Sequence, residues 1–245
     1  MSEQANNGCA DDFGVRLIGC ADDVVLPIGM HDYVEALGRC TLVDKTMFIA
    51  DVLDCNASVV VCCRPEGFGK SMNLSMLRAF LEHPVDGHAG QSLFADAQIW
   101  DADGGRYRNE YACYPVISLD FSGAARRGAS VVGIVRDALS GECARLMPLL
   151  EAPDLARDKV RHIERVARGV ASEAEVDSAL GVLIELLEMA CDERVVLLVD
   201  GYDAAWLGRA SARCASGADP AELLDRVLFD AIATAGHSLR LTCLM

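Results

Sequence analysis

Ser58-Val59-Val60-Val61-Cys62-Cys63-Arg64-Pro65-Glu66-Gly67-Phe68-Gly69-Lys70-Ser71, with Met72 to Leu81 after it, is the stretch on which the fold turns. Val59 to Cys63 is a short β-branched run of the kind that forms a buried strand. Leu74, Leu77, Phe80 and Leu81 then recur at helical spacing. The loop between them has the residues that hold a phosphate. Backbone N–H groups wrap the anion, the helix N-terminus adds partial positive charge, Lys70 reaches the outer phosphates, and the Ser71 hydroxyl is placed for Mg²⁺. Arg64 stands where G-x-x-x-x-G-K-[ST] has its first glycine, yet Gly67 and Gly69 still permit positive φ. Gly69-Lys70-Ser71 alone is also what a chance tripeptide at a helix start looks like; the flanking strand and helix argue for the loop. Lysine usage does too, since Lys45, Lys70 and Lys159 are the only lysines in a chain that otherwise uses arginine.

A phosphate loop needs an acidic partner on a second strand. Arg194-Val195-Val196-Leu197-Leu198-Val199-Asp200 is an apolar run that ends in a carboxylate. At the C-terminal edge of a buried parallel strand, Asp200 would face the crevice where open α/β sheets bind ligands, and there it can hold Mg²⁺ through water. The plain alternative is a strand ending in a solvated Asp.

Several blocks resemble the predicted AAA-ATPase-like proteins of bacteria and archaea, a group close to the STAND and AAA+ ATPases. Pro27-Ile28-Gly29-Met30-His31-Asp32-Tyr33 is similar to that family's P-I-G-x-x-D-F, and Val43-Asp44-Lys45-Thr46 to its V-D-K-T. Arg64-Pro65 through Ser71 is similar to R-P-R-R-F-G-K-S, with Phe68 at the aromatic position, which explains the arginine in place of the first glycine. Asn73 to Leu77, Leu93-Phe94, Tyr114 to Ile117 and Leu119-Asp120-Phe121-Ser122 continue the pattern, and Val196 to Asp203 is similar to V-L-L-I-D-E-Y-D. The resemblance covers about Leu26 to Met245. It implies a domain that binds ATP and Mg²⁺, with Arg64, Gly67, Phe68, Gly69, Lys70 and Ser71 around the phosphates and Ser71 and Asp200 on the metal. In related ATPases the segment before the loop strand contacts the adenine, which makes Val43, Asp44 and Thr46 candidates. The same Asp44-Lys45-Thr46 could equally cap the next helix.

The departures weigh as much as the matches. The family's Glu after the strand Asp, by analogy the base that activates the attacking water, is Gly201 here. Asp203 is the acid that remains nearby. The paired arginines of the family loop are Glu66 and Gly67, which exchanges positive charge near the phosphates for negative. Both changes leave nucleotide binding in place and weaken hydrolysis. Restoring the acid with Gly201→Glu would be expected to recover some turnover, unless the glycine serves a positive φ.

Composition fits a cytoplasmic globular chain. Its 245 residues, 52% hydrophobic, suffice for a full core, and no run of about 18 apolar residues suggests a membrane span. Met1 to Asp12 lacks the basic-then-apolar order of a signal peptide. The eleven cysteines are scattered without a C-x-x-C pair, and Cys62-Cys63 falls in an expected buried strand, so they read as small hydrophobes of a reducing compartment. The five histidines show no ligand spacing. A net charge of −15 argues against nucleic acid as a partner, and the arginines between Arg157 and Arg168 read as one solvated helix face.

The expected organisation is a flexible acidic lead over 1–25 and an ATPase core over 26–245. Helices are expected around Tyr33–Leu37 and Met47–Leu53, with a strand or turn at Thr41–Lys45. Residues 84–112 form a connection anchored by Leu93, Phe94 and Trp100, and Val116–Phe121 is a core strand. Helices then fill about 129–150, 155–169, 173–190 and 219–235, before a strand at Leu239–Met245. Met245 falls where the family has a polar sensor residue, so the core reads as truncated at that strand, without the C-terminal helical lid. The fold class is α/β: a three-layer P-loop NTPase with a mostly parallel sheet. Two functions remain open. One is an ATP·Mg²⁺-binding module with weak or absent hydrolysis. The other is a degenerate interaction module that keeps the fold without nucleotide. A protein partner or a second copy of the chain suits either.

Overall fold

The computed structural model describes residues 16–19, 25–65, 67–85, 93–125, 130–203 and 220–245. Most of the acidic lead, together with Glu66 and His88, lies outside them. Leu17–Gly19 is a correction to that lead: it forms β1, which pairs antiparallel with β2, Thr41–Val43. Between these strands lies α1, Tyr33–Leu37, whose Asp32 side chain accepts the Glu35 N–H as an N-cap. Helix α2, Met47–Asp54, leads to the loop strand β3, Val59–Val61. Helix α3, Lys70–Leu81, follows the loop, and the short α4, Gln98–Asp101, follows a turn.

Strand β4, Val116–Asp120, opens the second half. Helices α5, Val131–Leu146, α6, Arg157–Ala167, and α7, Glu173–Cys191, then precede β5, Val195–Asp200. Helix α8 comprises Pro220–Leu224, a π-helical turn at Asp225–Phe229, and Asp230–Thr234; β6, Leu239–Leu244, ends the sheet. The main sheet has four strands in the order β3-β6-β5-β4, all parallel.

Alternation along β5 shows why the chain folds in three layers. Val195, Leu197 and Val199 point into a core built with α5, α6, α7 and α8. Val196 and Leu198 point into a second core with α1, α2 and α3. A strand covered on both faces gains nothing from polar residues, so its apolar run is unbroken and all five side chains are fully buried. Each such side chain contributes about 1.5–3 kcal/mol of transfer free energy.

β3 differs from expectation. It is an edge strand of the main sheet, and Val59 and Val61 are 37% and 47% exposed. A β-branched run specifies a strand but not the neighbours that would bury it. Of the expected anchors in 84–112, Phe94 is fully buried and stacks on Tyr33, and Trp100 meets Tyr111 edge-on, whereas Leu93 is 41% exposed. Arg145 ties the layers together by reaching Glu82, Glu142 and the Val116 carbonyl. No helix among the described residues is long and apolar enough to cross a membrane.

Candidate functional site

The C-terminal ends of β3, β6, β5 and β4 share one edge of the sheet, and the loop before α3 lies over it. Gly67 has φ 81° and Gly69 φ 75°, the left-handed region that the expected loop requires. Neither would meet a neighbour if given a Cβ, so backbone angle alone selects glycine at these two positions. Gly69 is also the N-cap of α3, and it leaves that helix's first N–H groups directed toward the loop. Phe68 is 63% exposed between the two glycines.

Lys70 folds back over the loop and donates from Nζ to the Arg64 carbonyl at 3.0 Å. The Ser71 side chain lies close enough to the Asp200 carboxyl to act on it. Burial pushes the Asp200 carboxyl above its ordinary range and Asp120 adds to this, while Ser71, the Gly201 N–H and Lys70 pull the other way. The loop and the second acidic strand, read separately in the sequence, therefore converge. Mg²⁺ is ordinarily held by one or two carboxylates plus substrate phosphates, and a hydroxyl and a carboxylate beside a phosphate loop fit it.

Beside them is a cleft of about 260 Å³ lined by Cys62, Cys63, Arg64, Pro65, Lys70, Tyr202, Asp203 and Met245. Asp203 is thus brought beside the loop lysine. A larger groove of about 370 Å³ runs between α7 and α8, with Asp177, Glu185 and Arg226 among its walls. It holds no loop and no convergent lysine and acid, so size alone does not make it the site.

Asp44 and Thr46 are hydrogen-bonded within the fold. The Asp44 carboxylate accepts the Thr46 N–H at 2.9 Å, the Thr46 hydroxyl at 2.6 Å and the Gln98 N–H at 2.7 Å. The Thr46 hydroxyl accepts the Ile99 N–H at 3.2 Å, and Thr46 is fully buried. These side chains join the starts of α2 and α4, which is the capping reading and does not exclude the other.

Gly201 corrects a second expectation. Its φ is 64°, and a Cβ there would lie 2.5 Å from the Ser122 nitrogen and 2.6 Å from the Ser122 Cα. The backbone after β4 occupies the space that a side chain would need. Gly201→Glu is therefore not a simple restoration of an acid. The Gly201 and Tyr202 N–H groups both donate to the Met245 carbonyl, at 2.7 and 3.3 Å, so the turn is also fixed from the β6 side. Met245 itself is buried.

Three neighbours of the site escaped the sequence reading. Cys63 was expected in a buried strand but is exposed and lines the cleft. Tyr202 lines it as well, and burial raises its phenol above the ordinary range. Asp120 ends β4 directly opposite Asp200 in the sheet register. Its signal was present, because Val116-Ile117-Ser118-Leu119-Asp120 is mostly apolar and ends in an acid as 195–200 does. Among the described residues, no group of three or more His, Cys, Asp or Glu could hold a metal ion.

A parallel sheet flanked by helices, with a glycine loop opening a helix at its C-terminal edge, defines an α/β protein of the P-loop NTPase type. The chain belongs to the predicted AAA-ATPase family, whose family model matches residues 27–244. It is similar to an Azotobacter chroococcum mcd 1 protein described as an uncharacterized protein in the vnfD 5′ region, with 29% identity over 184 residues. That match covers 73% of this chain and 29% of the relative, so the chain spans less than a third of the relative's length. No solved structure gives a significant match.

Proposed function

We propose that the chain is an ATP·Mg²⁺-binding AAA-ATPase-like module of the cytoplasm that hydrolyses ATP slowly or not at all. Backbone N–H groups between Arg64 and Ser71, shaped by Gly67 and Gly69, hold the phosphates, and Phe68 stands exposed at the loop's tip. Lys70 leaves the Arg64 carbonyl and turns to the outer phosphates, exchanging a neutral acceptor for a charged one. Ser71 and Asp200 would hold Mg²⁺, which neutralises charge on the phosphates when bound. Asp203 stands in the cleft beside Lys70. The observation that carries this reading is that the loop of Gly67 and Gly69 opens α3 at the C-terminal edge of the parallel sheet where Asp200 ends β5, near enough for Lys70 and Ser71 to act on its carboxyl.

Slow turnover follows from Gly201. A positioned base is worth about 10²–10⁴ in rate, and no side chain fits where the family's Glu stands. The second reading, a nucleotide-free interaction module, draws support from that glycine and from Lys70 being satisfied by its own loop. A melting curve separates the two. ATP with Mg²⁺ should raise the melting temperature by mass action, and Lys70→Ala should remove most of the rise. An unchanged curve at millimolar ATP favours the interaction module.

A further inference from the structure

We infer that the residual hydrolysis of this chain uses Asp120, and not Asp203, as the carboxylate that activates the attacking water, since Gly201 has no side chain to do so. The inference rests on the nucleotide reading above and assigns a further residue to the same site.

Three observations carry it. First, Asp120 and Asp200 are register partners at the C-terminal ends of adjacent parallel strands, which brings the two acids side by side at the ligand-binding edge. Ser71 and Asp120 both act on the Asp200 carboxyl, so all three groups are neighbours. Asp203 instead lines the cleft of Cys62, Cys63, Arg64, Pro65 and Lys70, past the end of β5 and outside the strand register that pairs the two acids.

Second, Asp120 is held without being used up. One carboxylate oxygen accepts the Ser122 N–H at 2.8 Å, and the side chain is otherwise exposed. Among the described residues no hydrogen bond is recorded to the second oxygen, which can accept a proton from water.

Third, the same turn that orients Asp120 excludes a side chain at 201. Ser122 donates to Asp120, and the Ser122 backbone fills the space around the missing Gly201 Cβ. The Phe121 N–H also donates to the Asp200 carbonyl at 2.8 Å, which locks that turn onto β5. An acid at 201 and this β4 turn are thus sterically exclusive. In this chain the acid sits on the neighbouring strand.

In the proposed step, the water oxygen attacks the γ-phosphorus and gives its proton to the free Asp120 oxygen. The bond from the γ-phosphorus to the bridging oxygen breaks, and its electron pair stays on ADP. Asp120 then returns the proton to solvent.

The test compares the unmutated chain with Asp120→Asn and Asp203→Asn, measuring ATP affinity with and without Mg²⁺ and single-turnover hydrolysis. Asn at 120 keeps an oxygen for the Ser122 N–H, and Asp120→Ser provides a second variant should the first fold poorly. The expected result is a loss of turnover of at least about tenfold in Asp120→Asn. ATP affinity and its Mg²⁺ dependence should stay within a few-fold, and the loss should exceed that in Asp203→Asn. Undiminished turnover in the Asp120 variants, or a loss confined to Asp203→Asn, overturns the assignment. So does a parallel loss of Mg²⁺-dependent affinity, which would make Asp120 a binding group. Bound ATP without turnover in the unmutated chain overturns this assignment alone, whereas absence of ATP binding overturns the nucleotide reading and this one with it.

Discussion

Gly201 and Ser122 are packed so closely that a Cβ on the glycine would lie 2.5 Å from the Ser122 nitrogen. Gly201 also has φ 64°. Steric overlap with backbone and a left-handed angle act together, since neither can be relieved by turning a side chain.

Gly201→Ala should therefore destabilise the chain by about 2–5 kcal/mol, combining left-handed strain with overpacking. Gly201→Glu should lose at least as much and gain no turnover. Denaturant unfolding of the two variants checks this. A well-folded Gly201→Glu protein with faster hydrolysis would show that the β4 turn moves aside.

Cysteine labelling reports on the cleft directly. Among the described residues, Cys55 and Cys63 are exposed, whereas Cys40, Cys143 and Cys243 are buried. Burial pushes the Cys143 thiol up to about 12 and raises Cys243 as well, so both should resist a thiol reagent in the native protein. Cys63 should react, and ATP·Mg²⁺ should slow that reaction because Cys63 lines the cleft with Lys70. Mass spectrometry of the labelled chain reads both outcomes.

Helix α7 should give the protein part of its acid sensitivity. Ser172 and Glu175 form a capping box, and Arg165 pairs with the same carboxylate at 3.0 Å. Backbone and side-chain hydrogen bonds from Ser172, then Arg165, lower the Glu175 carboxyl from 4.5 to about 2. A carboxyl lowered on folding adds stability that is fully present above its unfolded pKa and is lost as pH falls through the folded value. Urea unfolding of the unmutated chain and Glu175→Gln should thus differ most above the unfolded value of 4.5 and converge toward about 2. A difference that does not change with pH would contradict the capping box as its source.

Much of this arrangement could be read along the chain, because the signals were local. The loop glycines, Lys70 and Ser71 form one contiguous stretch, and β5 announces itself by an apolar run that burial on both faces permits. What the sequence withheld depends on which strands become neighbours. β3 looks like a central strand but ends the sheet, and β1 is three residues whose pairing with β2 no local period reveals. Asp120 matters only because β4 lies beside β5. Asp44 and Thr46 matched a motif, and the hydrogen bonds by which they join α2 to α4 could not be read from their spacing.

The most direct test of the nucleotide reading is a calorimetric titration of the full chain with ATP, with and without Mg²⁺, repeated on Lys70→Ala. Saturable binding that tightens with Mg²⁺ and is largely lost in the folded Lys70→Ala variant is the predicted result. No heat of binding at millimolar ATP with Mg²⁺, or binding indifferent to Lys70, would contradict it.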